Sequence, residues 1–374
     1  MPRAIQAGIR AIAIIAAIAS SWPAARAEHF DAGVHDPVMI RADGTYYLFC
    51  TGRGVSVFTS TDMRDWHSAG PAFDETPAWT ASAVPPRRWR RGGPPAAAAP
   101  TASSESGGEN EAAERRRRRA NWSGAISLWA PDVALHNGTY YLYYSVSSFG
   151  SNNSAIGVAT NATLDRSDPT YQWVHHGPVV QSIAGRDMFN AIDPNLAFDD
   201  NGTPWLAFGS YWSGMKLVRL NENLTEVAEP EEWYTIAARD RYWKLDEADA
   251  GNPQSGAIEA PFIFKKDGRY YLFVSWDVCC RGVNSTYKVV VGRSDKITGP
   301  YLDKEAQPMQ HGGGSLVVGG NEAWPGVGHN SAYTFDGQDY LVFHGYDAAD
   351  DGRPKLWIQE IEWDADGWPS VSLD

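Results

Sequence analysis

Residues 42–49, Ala42-Asp43-Gly44-Thr45-Tyr46-Tyr47-Leu48-Phe49, read ADGTYYLF: a turn glycine and then a β-prone aromatic run. That is the local signature of a β-hairpin. Nearly the same phrase returns as HNGTYYLYY from His136, DDNGTPWLAF from Asp199, KKDGRYYLFV from Lys265 and FDGQDYLVF from Phe335. The turn glycines are Gly44, Gly138, Gly202, Gly268 and Gly337, spaced 94, 64, 66 and 69 residues apart.

The first interval is long because of one segment. From Pro85 to about Ala120 the chain reads PPRRWRRGGPPAAAAPTASSESGGENEAAERRRRRA, with almost no apolar periodicity. Such a composition cannot bury enough surface to offset its ordering entropy. It reads as a disordered loop insertion at about 85–120. Its arginine clusters could dock on acidic pectin, but a tolerated surface insertion is the plainer reading. With it set aside the repeat is regular, and helical periodicity is scarce. Each unit has enough residues for a four-stranded sheet. Five such sheets arranged radially give an all-β, five-bladed β-propeller. A β-sandwich is the runner-up, but it gives no reason for five equivalent phrases.

Upstream of each turn lies a polar point. The chain reads HDPVMIRADG with Asp36, WAPDVALHNG with Trp129 and Asp132, and IDPNLAFDDNG with Asp193. EAPFIFKKDG follows with Glu259, and GHNSAYTFDG with His329. Four of these share an x-[Asp/Ala]-Pro frame. Glu259 stands one place before the Asp position, where the second unit has Trp129, and the fifth unit lacks the proline, so its register is looser. In a propeller these points open the innermost strands, so Asp36, Asp193, Glu259 and His329 are expected to meet at the mouth of the central channel. Asp-Pro and Ala-Pro at strand starts are also ordinary turn chemistry. Three carboxyls at equivalent points are harder to explain that way, because crowded carboxylates repel one another.

Bulk composition narrows the classes. The chain has 374 residues, 43% of them hydrophobic, and a net charge of −13. No basic groove for phosphates is in view, which argues against nucleic acid. The 16 Trp and 17 Tyr suit a core, and also suit platforms for sugar rings. Arg3 and Arg10, the apolar run Ala11 to Ala19 and the closing Ala25-Arg26-Ala27 read as a secretory signal peptide over residues 1–27. The propeller is expected over 28–374, in a protein exported without a membrane anchor. Of three cysteines, Cys50, Cys279 and Cys280, at least one must stay unpaired, and a bridge from Cys50 to one of the other two is left open. Asn-x-Ser/Thr sequons occur at Asn121, Asn137, Asn152, Asn161, Asn201, Asn223 and Asn284.

Two carboxyls flanking a glycosidic bond can hydrolyse it, one as acid and the other as base or nucleophile. Glu259 sits in SGAIEAPFIF, an apolar setting that favours the proton-carrying form and suits an acid. Asp36 is the candidate base, and Asp193 a third group that tunes the acid and orients the sugar. Asp132 reads as a structural turn residue.

Taken together, HDPVMI, LWAPDV, YYSVSSFGSNNSAIGVAT, NAIDPNLAFDDNGTPWLAFGSYWSGM, AIEAPFIFKKDGRYYLFVSWDVCCRGVNSTYKVVVGRS and GHNSAY resemble glycoside hydrolase family 43. Within it they resemble the secreted arabinan endo-1,5-α-L-arabinosidases, for which SSFGSNNSAIG and CCRGVNSTY are the specific phrases. The resemblance runs from about residue 33 to 348. It implies inversion at the anomeric carbon, with Asp36 as general base, Asp193 as modulator and Glu259 as general acid. It implies a calcium ion held in the channel with help from His329, and substrate contacts from Trp129, Phe149 and Ser210. A buried, satisfied histidine and plain packing are the alternatives for His329 and for the two aromatic residues. The expected partner is arabinan, bound by a monomer, with no nucleic acid and no membrane. An exo-acting α-L-arabinofuranosidase or β-xylosidase on the same scaffold is the first alternative. A non-catalytic carbohydrate-binding propeller is the second.

Overall fold

The computed structural model describes residues 33–84, 127–239 and 256–373. The signal peptide expected over 1–27 and the insertion expected at about 85–120 lie outside the described residues. Blade one holds β1 (Val38–Ala42), β2 (Thr45–Cys50), β4 (Ser56–Ser60) and β5 (His67–Pro71), and between them the two-residue β3 (Gly52–Arg53) leaves to pair with blade two. Blade two adds β6 (Ser127–His136), β7 (Thr139–Val146), β8 (Ser154–Asn161) and β9 (Val174–Ser182). Blade three is β10 (Asn195–Phe198), β11 (Pro204–Phe208), β12 (Met215–Arg219) and β13 (Trp233–Ala237). Blade four is β14 (Ile258–Lys266), β15 (Arg269–Trp276), β16 (Lys288–Ser294) and β17 (Ser315–Gly319). Among the described residues blade five has three strands, β18 (Val327–Phe335), β19 (Gln338–Asp347) and β20 (Arg353–Glu360). The inner strands touch in a closed ring, β1 to β6 to β10 to β14 to β18 and back to β1.

The repeated phrase is the hairpin joining the first two strands of each blade. In four blades it is a two-residue turn with both residues at positive φ: Asp43-Gly44, Asn137-Gly138, Asp267-Gly268 and Asp336-Gly337. Such turns match the twist of the strands, and only Gly, Asn and Asp adopt them readily. The third differs. Phe198 pairs with Pro204, and Asp199 caps the longer loop by accepting from Asn201 and Thr203.

Aromatic runs without polar alternation follow from a sheet covered on both faces. Along β7, Leu142, Tyr144 and Val146 pack toward blade one, while Tyr143 packs toward blade three. Along β15, Tyr270, Leu272 and Val274 face blade three, and Tyr271 and Phe273 face blade five. The core is accordingly five hydrophobic layers, one between each pair of neighbouring blades.

Blade five departs from the expected four strands. After β20 the chain turns into a short hairpin, β21 (Glu362–Trp363) and β22 (Pro369–Ser370). Val371 N–H then bonds Val317 O on the edge of blade four. Trp363, Trp368, Val371 and Leu373 join the apolar layer between blades four and five. The tail thus adds apolar side chains to that layer. Among the described residues, no helix is long and apolar enough to cross a membrane.

Candidate active site

Each inner strand has, within it or two residues ahead of it, one residue in the left-handed region at the same station: Asp36 at φ 59°, Ala130 at 43°, Asp193 at 59°, Ala260 at 54° and His329 at 53°. The first four precede proline, which disfavours the helical region but does not by itself impose this one. A left-handed non-glycine residue costs on the order of 1–2 kcal/mol, so surrounding bonds must hold it. Those bonds come from neighbouring blades. Asp36 N–H donates to His344 Nδ1 at 3.2 Å, Ala130 to Thr51 Oγ1 at 2.8 Å and Asp193 to Ser145 Oγ at 3.0 Å. Ala260 donates to Asp193 Oδ2 at 3.1 Å, and His329 to Ser275 Oγ at 2.8 Å. In β6, β14 and β18 the pairing with the next strand skips two residues at this station. The looser register expected for blade five is not found. His329 occupies Asp36's station without a proline because the captured amide, not the ring, fixes the turn.

The bulge aims side chains at the channel mouth. Asp36, Asp193, Glu259 and His329 line one cavity of about 720 Å³, together with Trp129, Phe149 and Ser210. Every residue expected at the site is therefore brought there. Asp132 is not. It is buried, and its Oδ2 accepts Leu196 N–H at 2.7 Å, tying blade two to blade three.

Asp36 and Glu259 sit in different surroundings. Asp36 Oδ2 accepts from Thr51 Oγ1 at 2.5 Å, and Oδ1 lies 3.0 Å from His329 Nδ1 and 2.7 Å from His35 Nδ1. The last contact is close but off line for a hydrogen bond. Burial works to raise the Asp36 carboxyl, yet His329 and His35 hold it well below its ordinary value, so it is a charged base. Burial also works against a proton on His329, but Asp36 first, then Asp193 and Glu259, carries that imidazole up to about 9. Asp193 is pushed well above the usual carboxylate range, by burial first and by Glu259 and Asp36 against an offset from His329. Glu259 Oε2 accepts from Ser210 Oγ at 2.7 Å, and Oε1 accepts from Tyr287 OH at 2.8 Å. Trp129 and Phe149 stand together, ring centroids 5.6 Å apart, and Phe149 is 62% exposed.

Several site residues escape a reading of the sequence. Thr51, Ser145, Ser275 and His344 each fall seven residues after a turn glycine, a regularity of spacing that no shared residue type marks. In blade three that place is Gly209, and Ser210 beside it serves Glu259 instead. Tyr346, two residues beyond His344 on β19, and Tyr287, just ahead of β16, reach the site from positions with no such mark. Cys279 and Cys280 form a vicinal disulfide in the cavity wall. This excludes the bridge from Cys50, which is a free thiol buried between blades one and five.

The sequence profile of glycosyl hydrolases family 43 matches residues 109–369. An extracellular exo-α-(1→5)-L-arabinofuranosidase of Cellvibrio japonicus is 46% identical over 338 residues, covering 90% of this chain and 86% of that protein. An extracellular endo-α-(1→5)-L-arabinanase of Bacillus subtilis is 38% identical over 346 residues, covering 90% and 87%. The solved α-L-arabinanase of Cellvibrio cellulosa complexed with arabinohexaose superposes with a TM-score of 0.78 at 45% identity, covering 91% of this chain and 96% of that one.

Proposed function

This chain belongs to glycosyl hydrolase family 43, and on that premise we propose that it hydrolyses 1,5-α-L-arabinofuranosidic linkages of arabinan. The observation that carries the reading is the convergence of Asp36, Asp193 and Glu259 from three blades on one cavity, with Asp36 held charged. Glu259 gives its proton to the leaving oxygen as the bond from the anomeric carbon breaks. Asp36 takes a proton from the water that attacks that carbon, so the product is inverted. Ser210 and Tyr287 stabilise the Glu259 carboxylate left behind. Asp193 fixes the backbone beside the acid and orients the sugar. Trp129 and Phe149 offer ring faces to the furanose, and Ser210 is close enough to the acid to meet a sugar hydroxyl as well.

We also propose a calcium ion beside His329. The fit is to a shell completed by water. His329 Nδ1 is engaged by Asp36, which leaves Nε2 as the ring atom to hold the ion, in exchange for the proton that the neighbouring carboxylates otherwise keep on this ring, and calcium takes six to eight ligands, mostly oxygen. Bound there it supplies positive charge near the reacting centre. The matched extracellular relatives and the Ala25-Arg26-Ala27 signal support secretion.

Two modes of attack stand. The endo mode rests on SSFGSNNSAIG and CCRGVNSTY. The exo mode is favoured by the higher identity to the exo-named relative, 46% against 38%. A time course on debranched arabinan, with and without chelator, tests all of this. Oligomers appearing first mark endo cleavage, and arabinose alone from the start marks exo cleavage. Activity lost to chelator and restored by calcium supports the ion. No sugar release from arabinan rejects the function.

A further inference from the structure

Behind the base lies a cluster that the proposed chemistry does not use. Tyr346 is buried, and three nitrogens surround its hydroxyl oxygen. Cys280 N–H donates to it at 2.8 Å, His35 Nε2 lies at 3.0 Å and His344 Nε2 at 3.1 Å. The rings of His35 and His344 stack at 4.0 Å. His35, Asp36 and His344 lie close enough together to suggest a metal site. The hydrogen bonds point elsewhere.

The proton positions follow from counting lone pairs. Asp36 N–H points at His344 Nδ1, so that nitrogen is an acceptor. Burial holds His344 well below its ordinary value, in keeping with that bare Nδ1, so its ring is neutral. Its single proton is then on Nε2 and is donated to Tyr346. A phenolic oxygen has two lone pairs, and Cys280 and His344 fill both. The hydroxyl proton then has two acceptors in reach, and His35 Nε2 at 3.0 Å is nearer and stronger than Cys280 Sγ at 3.8 Å, so it goes to His35, which leaves the His35 proton on Nδ1, facing Asp36 Oδ1. Ser285 also interacts with this hydroxyl. Its contact favours the ionised phenol, so the serine donates; it competes for a lone pair, not for the hydroxyl proton.

We infer that Tyr346 is a positioning residue, which fixes opposite tautomers on His35 and His344, so that His344 Nδ1 holds the Asp36 amide and the His35 Nδ1 proton faces the Asp36 carboxylate. The inference rests on the reading of Asp36 as the base. It also gives the disulfide a role. The Cys279–Cys280 turn presents the Cys280 amide that occupies one lone pair of Tyr346 and so sets the direction of the chain of donors.

Imidazole nitrogen shifts of the ¹⁵N-labelled protein test this, with His35→Gln and His344→Gln used to assign the two rings. The expected result is His35 protonated at Nδ1 and His344 at Nε2. His35 protonated at Nε2, or at both nitrogens, overturns the inference. In Tyr346→Phe, kcat should fall roughly 10- to 100-fold, by analogy with the outer-shell groups that fix histidine tautomers at metal sites, with KM nearly unchanged and His35 a tautomer mixture. Unchanged kcat with an unchanged His35 tautomer overturns it too. The wild-type spectrum decides even if the variant is unstable. Absence of arabinan hydrolysis by the wild type rejects the proposed function without touching the tautomers.

Discussion

Asp193 of blade three accepts the amide proton of Ala260 of blade four at 3.1 Å, and Ala260 is the residue after Glu259. One buried carboxyl thus anchors the backbone that carries the acid. The bond also explains why Asp193 and Glu259 stay together although 66 residues separate them in the chain.

Asp193→Asn and Asp193→Ala should therefore separate anchoring from charge. Asparagine keeps an oxygen for the Ala260 amide, so thermal stability stays near wild type while turnover drops. Alanine leaves that amide buried without an acceptor, which costs about 1–3 kcal/mol. Melting temperature and kcat on arabinan report the two effects. Equal stability of both variants would remove the anchoring role.

Glu259→Gln should lower kcat on arabinan by roughly 10²–10⁴-fold, the usual contribution of a positioned acid. Binding of an arabino-oligosaccharide, read by calorimetry, should be largely retained. The loss should shrink on an aryl arabinofuranoside, whose leaving group departs without a proton. An equal loss on both substrates would point to a collapsed site instead.

Asp132 gives a pH prediction. Burial pushes its carboxyl from 3.8 to about 7, against the pull of Leu196 and Asn195. The folded state holds this proton more tightly than the unfolded one, so the stabilisation is complete below about 4 and is lost as pH rises to about 7. Asp132→Asn keeps an acceptor for Leu196 and does not titrate. Its stability relative to wild type should rise across that window, by up to about 4 kcal/mol. A flat difference between pH 4 and 7 contradicts the assignment.

Cysteine reactivity follows from burial. Cys50 is 1% exposed and its thiol is pushed up to about 12, by burial first and then by the Asp36 charge. A thiol reagent should find no reactive cysteine in the native protein. It should find one after denaturation and all three after denaturation with reductant. A reactive thiol in the native state would place Cys50 at the surface.

Sequence and structure agree where the physics is local. Asp43-Gly44 and its counterparts are turns whatever surrounds them, and the aromatic runs after them have only a doubly covered sheet to occupy. The stations of Asp36, Asp193, Glu259 and His329 follow from that phasing. The left-handed backbone at Ala130 and Ala260 does not. Proline after them gives no such preference, and their amides are captured by Thr51 and Asp193 of other blades. Tyr287 and Tyr346 are unmarked for the same reason, since their hydroxyls act far along the chain from their neighbours in sequence. The pairing of Cys279 with Cys280 was equally open, because it depends on Cys50 being enclosed between two blades.

The five left-handed stations also bear on how such a protein can diversify. Each is a pedestal of fixed backbone whose geometry is enforced from next door, so its occupant can change without redesign of the strand below. Ala130 and Ala260 show the vacant form, in which the preceding residue, Trp129 or Glu259, enters the cavity instead. New specificities can therefore arise by exchanging a few occupants among small residues, carboxylates and imidazoles. β-Branched residues tolerate a positive φ poorly and would be the costliest occupants, although Val55 at φ 61° shows that the fold can hold one.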